Sequence, residues 1–383
     1  MRGPCLSHRS APGDKPLLLC FSHLRWGFVT QRPQHLLRRA ATQYRVVYWE
    51  EPWLDDRAEP RLDLFKQEEG DITLAVPKLP HGLDEAGFEQ AQRQLLEDFL
   101  GGEQPDVAWF YTPMALGFAD GVQAAVTVYD CMDELSGFHG APPTLLPREA
   151  ELFRRADLVF TGGRSLYEAK RDRHHSVHCF PSSIDAAHFN RARAEQPMPP
   201  DQASIPKPQL GFFGVVDERM NLDLLRQVAA LRPDWHFVMI GPVVKIDPET
   251  LPRPHNIHWL GGKHYNELPA YLAGWDAGFM PFALNEATRF ISPTKTPEYL
   301  AAGVPPVSTP ITDVVRPWGE DRLVEIAATP EEAAVALDRA AAQRRDPTWL
   351  ARVDEALRHQ SWDKTWDAMR SLIQQAASQQ GHG

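Results

Sequence analysis

Short apolar runs alternate with amphipathic stretches along the chain, and this alternation limits the possible folds more than any other feature. The strand-like runs of the first half are residues 17–22, 44–49, 72–76, 107–111, 126–129, 158–160 and 177–180. Helix-like stretches separate several of them, at residues 33–42, 88–100, 148–156 and 165–171. Because strand–helix–strand units pack through right-handed crossovers, the pattern predicts a mainly parallel sheet with helices on both faces.

A proline-rich segment, residues 191–208, interrupts this alternation and is typical of a semi-rigid linker. Beyond it, strand-like runs return at residues 209–213, 235–240, 257–260, 277–280, 306–308 and 323–327, with helical stretches at 222–231, 265–273, 296–302, 330–343 and 362–377. We therefore predict an α/β protein in which two Rossmann-like, doubly wound domains face each other across a cleft. The predicted order is a flexible N-terminus (1–15), an N-terminal Rossmann-like domain (16–190), the linker, a C-terminal Rossmann-like domain (209–358) and a C-terminal helix (359–383) that packs back on the first domain.

Composition narrows the choice of partners and compartment. A chain of 383 residues exceeds the usual size of one core, and its net charge of −11 would repel a nucleic-acid backbone. The four cysteines are widely spaced, which suits the reducing cytoplasm, and the early apolar run at 17–21 is too short for a signal peptide or a membrane span. We expect a cytoplasmic protein. The amphipathic stretch 33–42, with Arg38 and Arg39, leaves open a peripheral contact with the inner face of the membrane.

Several motifs that would indicate other enzyme classes are missing from the sequence. No Gly-x-Gly-x-x-Gly follows a predicted strand, which disfavours a nicotinamide enzyme, and there is no P-loop and no Gly-x-Ser-x-Gly elbow. No Asp-x-Asp occurs, and the histidine clusters at 174–178 and 255–258 lack the helical spacing of metal ligands. We therefore expect no metal and no cofactor.

The segment SPTKTPEYLAAG, residues 292–303, has the features of a phosphate site. It follows the predicted strand 277–280 and opens the predicted helix 296–302, with Pro297 in the first turn and Gly303 at the end. A helix N-terminus attracts a diphosphate, Lys295 adds a full charge, and Glu298 can accept both hydroxyls of a ribose. The alternative is that Thr296 is only a helix cap, Lys295 a solvated charge and Glu298 a capping-box acid.

The longer run SPTKTPEYLAAGVPPV, residues 292–307, resembles the donor-site signature of retaining GT-B glycosyltransferases of family four. The segments GFFG (211–214) and FVMIGP (237–242) extend the similarity, and GFVTQRPQHL (27–36) resembles bacterial cell-wall or capsule-polysaccharide members. The resemblance implies a GT-B fold and a nucleoside-diphosphate sugar as donor, UDP-sugars being favoured and GDP-sugars left open. It also implies that a saccharide or lipid-linked acceptor binds the N-terminal domain (16–190) and that the donor nucleotide binds the C-terminal domain (209–358). Transfer would proceed with retention of the anomeric configuration.

The same resemblance assigns roles to individual residues. Glu298 would bind the ribose, and the residues facing the diphosphate or the nucleotide would be Gly214, Arg219, Ser292, Thr294, Lys295 and Thr296. Two positions depart from the family. Phe290 replaces the earlier acid of Glu-x7-Glu, so Asn285, Glu286 and Arg289 become candidate substitutes, and Val215 replaces one of two expected cations. A non-catalytic sugar-nucleotide or glycan-binding protein of the same fold is the alternative.

Two further candidates come from the first domain. Gly27, between strand and helix, would let the backbone approach the diphosphate from the other side of the cleft. Asp130 follows the strand 126–129 and is predicted to orient an acceptor or donor hydroxyl, while Asp133 and Glu134 are equally compatible with capping the following turn. The predicted catalytic set is thus Asp130, Arg219 and Lys295. Arg219 has an alternative role as a surface ion-pair partner of Asp217 or Asp223.

Overall fold

A computed structural model describes residues 15–57 and 59–380 of the chain. Residues 1–14 of the predicted flexible N-terminus lie outside this description. Two sheets dominate the described part, one built from the first half of the chain and one from the second. Both are mainly parallel, as the strand–helix alternation predicts.

The first sheet has the strand order β3-β5-β2-β1-β6-β7-β8-β9, with β4 antiparallel to β5. Its strands are β1 (Leu17–Phe21), β2 (Arg45–Trp49), β3 (Trp53–Asp55), β4 (Arg61–Lys66), β5 (Ile72–Pro80), β6 (Val107–Phe110), β7 (Val126–Cys131), β8 (Leu158–Thr161) and β9 (Val177–Cys179). Its helices are α1 (Arg32–Ala40), α2 (Glu85–Leu100), α3 (Leu116–Ala119), α4 (Leu145–Arg155) and α5 (Arg164–Lys170). The central strands are buried along their whole length, because helices cover both faces.

The second sheet has the order β12-β11-β10-β13-β14-β15. Its strands are β10 (Gln209–Phe213), β11 (His236–Ile240), β12 (Ile257–Gly261), β13 (Ala277–Met280), β14 (Pro306–Ser308) and β15 (Glu325–Ile326). The remaining helices are α6 (Ala186–Phe189), α7 (Pro200–Ala203), α8 (Leu222–Leu231), α9 (Leu268–Ala273), α10 (Lys295–Ala301), α11 (Thr312–Val314), α12 (Pro330–Gln343), α13 (Pro347–Leu357) and α14 (Trp362–Gln380). In each sheet the order reverses beside the first strand of its half, which creates the crevice where α/β proteins bind ligands.

The final helix, α14, packs on the first sheet although it follows the second one in sequence. Trp362, Trp366, Met369 and Ile373 recur at helical spacing and join the buried cluster that contains β1, β6 and β7 residues. The Trp362 ring also stacks on His35 of α1 at 4.8 Å. The chain therefore crosses between the two sheets twice.

The first of these crossings comes earlier than the proline-rich segment suggests. Ile184, Phe189 and Ala192 already belong to the core cluster of the second sheet. Further on, Gln202 is buried and donates to the Tyr271 carbonyl at 3.0 Å. Residues 184–205 are thus packed structure rather than an isolated spacer, because their few apolar side chains fill the space beneath α9 and α10.

The strands β3 and β4 form an edge that the sequence pattern does not indicate. Their side chains are largely exposed, and the segment lacks the alternation of apolar and polar residues that identifies a half-buried strand. Pairing with the long strand β5 holds them in place.

Candidate functional site

Two adjoining cavities open between the sheets, at the carboxyl ends of β1, β7 and β10. The cleft cavity, of about 630 Å³, is lined by the loop after β1 on one side and by the loops after β10 and β13 on the other. The N-terminal cavity, of about 620 Å³, lies mainly between β2, α2 and α4 of the first domain. They meet at five shared residues, Phe28, Gln31, Asp133, Val215 and Arg219. A ligand in one cavity therefore lies next to a ligand in the other.

The loop between β1 and α1 forms the first-domain wall of the cleft cavity. Gln34 of α1 fixes this loop by donating to the carbonyls of Trp26 and Val29 at 2.8 and 2.9 Å. The predicted residue Gly27 lines the cavity, and a Cβ added there would meet nothing within 4 Å. The loop thus presents open backbone to the cavity.

Asp130 does not take part in the site in the way that the sequence predicts. It is fully buried, and its carboxylate is held by Arg32, whose Nε and Nη2 donate to it at 3.0 and 2.9 Å. It lines neither cavity. Asp130 lies inside β7 rather than after it, so its side chain points to the face covered by α1. The prediction that Asp130 contacts a ligand is therefore wrong, and its role is to hold Arg32, which does line the cleft cavity.

Asp133, three residues later, occupies the position that the sequence assigned to Asp130. It follows the end of β7 and lines both cavities. Burial raises the pKa of its carboxyl to about 6, against the opposing effect of Arg219. A carboxyl group with a pKa of about 6 is ionised at neutral pH and becomes uncharged at mildly acidic pH.

Lys295 reaches the cleft cavity beneath Gly214. The Gly214 φ angle is +128°, and a Cβ added there would lie 2.2 Å from Lys295 Cε and 2.6 Å from its Nζ. The neighbouring Gly241, whose φ is +147°, approaches Gly214 closely enough that a Cβ there would meet its carbonyl oxygen. Gly241 thus makes room for the Gly214 backbone, and Gly214 makes room for Lys295.

Arg219 combines the two roles that the sequence left open. Its Nε and Nη2 donate to the Asp217 carboxylate at 2.9 and 2.7 Å, so the ion pair does form. The pair lies at the junction of the cavities and not on an outer surface, since Arg219 lines both of them. The Asp217 carboxylate holds the guanidinium in one orientation and raises its pKa.

The segment 292–303 contains four predicted site residues that face the cleft cavity and one that does not. Ser292, Thr294, Lys295 and Glu298 line the cleft cavity. Thr296 is 1% exposed, its Oγ1 lies 3.9 Å from Met280 Sδ, and its N–H donates to the Pro293 carbonyl. The prediction that Thr296 faces the diphosphate is wrong, because the helix turn directs it into the core.

Burial shifts the pKa values of Lys295 and Glu298 in opposite directions. Removal from water lowers the pKa of Lys295, and the nearby Arg219 lowers it further. Burial raises the pKa of Glu298, against the effect of Lys295. A diphosphate beside Lys295 would stabilise its charged form, so the surroundings of Lys295 favour an anion. Since α10 is only seven residues long, the cations Lys295 and Arg219 provide this preference more than the helix dipole.

The two departures from the family pattern have different surroundings. Val215 lines both cavities, so the expected cation is absent from a wall that a ligand would touch. Phe290 lines neither cavity and packs against the core cluster of the first domain. Among the suggested substitutes, Arg289 pairs with Glu286 at 3.6 Å outside both cavities, and Asn285 lies outside them as well.

The structure also places at the cavities residues that no sequence motif indicated. His264 and Tyr265 follow β12 and line the far end of the cleft cavity. His23, after β1, lines the N-terminal cavity, and burial lowers its pKa to about 4. Their positions directly after predicted strands could have indicated them, because the loops after parallel strands gather at the edge of the sheet where ligands bind. Nothing in residues 15–57 and 59–380 forms a cluster of three or more histidine, cysteine or acidic side chains able to hold a metal ion.

Comparisons with known proteins agree with this arrangement. Residues 207–343 match the family model of glycosyl transferases group 1. Over 103 residues the chain is 32% identical to the putative teichuronic acid biosynthesis glycosyltransferase TuaH of Bacillus subtilis (strain 168). That match covers 26% of this chain and about a quarter of the length of the relative.

Solved structures of similar fold extend over nearly the whole chain. An α,α-trehalose-phosphate synthase (UDP-forming) from Burkholderia xenovorans, in complex with glucose-6-phosphate, is 13% identical, with a TM-score of 0.68 over 94% of this chain and 100% of that one. HepE from Anabaena, in complex with UDP and glucose, is 12% identical, with a TM-score of 0.66 over 94% of this chain and 100% of that one. At such identities the likeness establishes the fold, which is GT-B. The chain thus has the GT-B fold, and its residues 207–343 match the family model of glycosyl transferases group 1.

Proposed function

We propose that the protein transfers a sugar from a nucleoside diphosphate sugar to a hydroxyl group of a saccharide or lipid-linked acceptor. The observation that carries this proposal is the pair Lys295 and Arg219 at the wall of the cleft cavity, one under Gly214 and the other oriented by Asp217. Fixed cations that face a water-excluding site stabilise charge that develops on a leaving diphosphate. A UDP-sugar is the favoured donor and a GDP-sugar the second choice, and no resident metal is invoked.

The proposed reaction proceeds with retention of the anomeric configuration, and one bond forms as one breaks. The acceptor oxygen forms a bond to the anomeric carbon as the bond from that carbon to the diphosphate breaks. The hydroxyl proton passes to the departing diphosphate, whose charge Lys295 and Arg219 stabilise. We assign Asp133 to bind the acceptor hydroxyl, because Asp133 lies where the two cavities meet. We assign Glu298, in the cleft cavity, to bind the ribose hydroxyls.

Calorimetric titration with UDP and GDP tests the donor site. Lys295→Ala and Glu298→Ala should each weaken the binding of the preferred nucleotide by about tenfold or more. The first removes a charged donor worth about 1.5–3 kcal/mol, and the second leaves the ribose hydroxyls without their acceptor. Lys364→Ala, on the exposed side of α14, is the control and should bind normally. Unchanged nucleotide affinities in both site variants would show that Lys295 and Glu298 do not form the donor site.

The alternative, a sugar-nucleotide-binding protein without transferase activity, has one observation in its favour. Val215 stands in the cavity wall where the family resemblance places a second cation. Incubation with a panel of sugar nucleotides and acceptors, followed by mass spectrometry, separates the two. Transfer or slow donor hydrolysis supports the enzyme, whereas tight nucleotide binding with neither product supports the binding protein.

The proposal extends to the place of the reaction in the cell. Polysaccharide or glycoconjugate synthesis in the cytoplasm, with peripheral contact at the inner face of the membrane, fits the resemblance of residues 27–36 to cell-wall and capsule-polysaccharide members. No helix among residues 15–57 and 59–380 combines the length and apolar character that crossing a membrane requires. Cosedimentation with vesicles of anionic lipid, compared with neutral vesicles, tests the membrane contact.

A further inference from the structure

Helix α5 of the first domain begins without a cap of its own. Its N-cap position is Gly163, which has no side chain to accept a hydrogen bond from the free N–H groups of the first turn. Asp313 of the second domain supplies that acceptor, since its Oδ1 accepts from the Ser165 N–H at 2.9 Å. Ser165 is the second residue of α5, and its N–H is one that the side chain of an ordinary N-cap residue binds. The second domain therefore caps a helix of the first.

Gly163 provides the space for this contact. A Cβ added to Gly163 would lie 2.2 Å from Asp313 Oδ2 and 2.8 Å from Ser292 Cβ. The Gly163 φ of −166° is extended backbone that any residue can adopt, so the glycine is needed for its small size and not for its conformation. Any side chain at this position would push α11 and the segment 292–303 away from α5.

The Asp313 carboxylate is buried by the contact. Only 7% of Asp313 is exposed, and burial raises its pKa against the effects of the Ser165 hydrogen bond and of the Arg316 charge. Arg316 also crosses the interface, with its Nη2 3.2 Å from Glu168 Oε2 of α5. Burial of a carboxylate costs free energy unless hydrogen bonds compensate for the lost water. The cap on α5 provides that compensation only while the two domains touch.

The same interface fixes the start of the segment 292–303. Ser292 lies against the Gly163 backbone, and its carbonyl accepts from Ser182 Oγ at 2.9 Å. Ser182 follows β9, the last strand of the first sheet. Ser292 lines the cleft cavity, whereas Asp313 and Gly163 line neither cavity. The first domain thus holds Ser292 in place, partly through residues that lie outside both cavities.

We propose that Asp313 is a positioning residue, which caps α5 from the second domain and thereby holds the two domains together around Ser292. The inference rests on the proposed function in taking the cleft cavity as the donor site. Without the cap, part of the population loses the contact between the domains and leaves Ser292 unsupported. The apparent affinity for the donor nucleotide then falls in proportion to the fraction of molecules that keep the contact.

A matched pair of cap variants tests the proposal. Asp346 caps α13 within the second domain, and its side chain accepts from the N–H of Thr348, again the second residue of the helix, at 2.8 Å. Asp313→Ala and Asp346→Ala should each lower the thermal midpoint, because each helix loses a cap. In calorimetry only Asp313→Ala should weaken the binding of UDP, or of GDP if the wild type prefers it, by about fivefold or more. Equal nucleotide affinities in the two variants would overturn the proposal.

A cap built into the first domain separates helix stability from the contact between the domains. In the Asp313→Ala background, Gly163→Ser gives α5 a capping side chain of its own and should restore the thermal midpoint. Its Cβ would still meet Ser292 Cβ, so the nucleotide affinity should stay low. Recovery of the affinity together with the stability would show that Asp313 serves only the helix.

Small-angle X-ray scattering without nucleotide follows the domains independently of the donor. Asp313→Ala should have a larger radius of gyration than the wild type, and Asp346→Ala the wild-type value. An unchanged radius in Asp313→Ala would refute the role at the interface. If the wild type binds neither UDP nor GDP while Asp313→Ala expands, the proposed donor function fails and the contact between the domains stands. Normal binding in the wild type and an equal Kd in Asp313→Ala remove only the role of Asp313.

Discussion

Replacing Gly214 with alanine tests whether the backbone beside the cleft cavity exists to make room for Lys295. A Cβ at Gly214 would lie 2.2 Å from Lys295 Cε and 2.6 Å from Nζ, which is far inside van der Waals contact. The colliding atoms belong to the far end of a flexible side chain, so Lys295 can turn away at little cost to the fold. We therefore expect the damage to appear in ligand binding more than in stability.

Gly214→Ala should change two quantities, the free energy of unfolding and the Kd for UDP. An alanine at a φ of +128° is strained by about 1–3 kcal/mol, which lowers the free energy of unfolding. The displaced Lys295 no longer donates to the diphosphate, a loss of about 1.5–3 kcal/mol, so the Kd for UDP should rise by roughly ten- to a hundredfold.

Gly82→Ala provides the matched control for backbone strain. Gly82 also has a positive φ, of +86°, but a Cβ there meets nothing within 4 Å, and it lies outside both cavities. The control should lose a similar amount of stability in urea denaturation and bind UDP normally.

Calorimetry of single and double variants then decides the cause. In a Lys295→Ala background, Gly214→Ala should weaken UDP binding little further, because the side chain that it displaces is already gone. A wild-type Kd in Gly214→Ala, or full additivity with Lys295→Ala, would refute the reasoning.

Three further predictions follow from the buried groups. Wild-type turnover should fall as the pH drops below about 6, because protonation of Asp133 removes the carboxylate that accepts a hydrogen bond from the acceptor hydroxyl and orients it. Asp133→Asn should lower kcat by about 10²-fold and abolish this acid limb without changing the Kd for UDP, whereas an intact limb would assign it to another group. Asp130→Asn leaves Arg32 buried without its counter-charge and should lower the free energy of unfolding by about 3–5 kcal/mol in urea; a loss below about 1 kcal/mol would contradict the pairing. Trp362→Ala should also lower the free energy of unfolding by about 3–5 kcal/mol, because it opens a cavity between α14 and α1. A normal urea midpoint would show that this packing of α14 contributes little to stability.

The sequence by itself determined the architecture, and it singled out the segment 292–303, several of whose residues line the cleft cavity. Most strands and helices lie within a few residues of their predicted positions, because each is specified by a local period of apolar residues and by turn residues at its ends. The segment 292–303 likewise stands out locally, because a lysine, a helix start and a carboxylate at fixed spacing together predict a phosphate site.

The tertiary structure alone decided which side chains reach the cavities. Asp130 and Asp133 are equally plausible in sequence, and the difference between them is that β7 continues to Cys131, which turns one carboxylate into the core and leaves the other at the junction. Likewise, Thr296 and Lys295 are neighbours that face opposite ways, and Phe290 contacts the first domain from the second. The physical reason is that burial, and with it the pKa of an acid or a lysine, depends on groups brought together from distant parts of the chain.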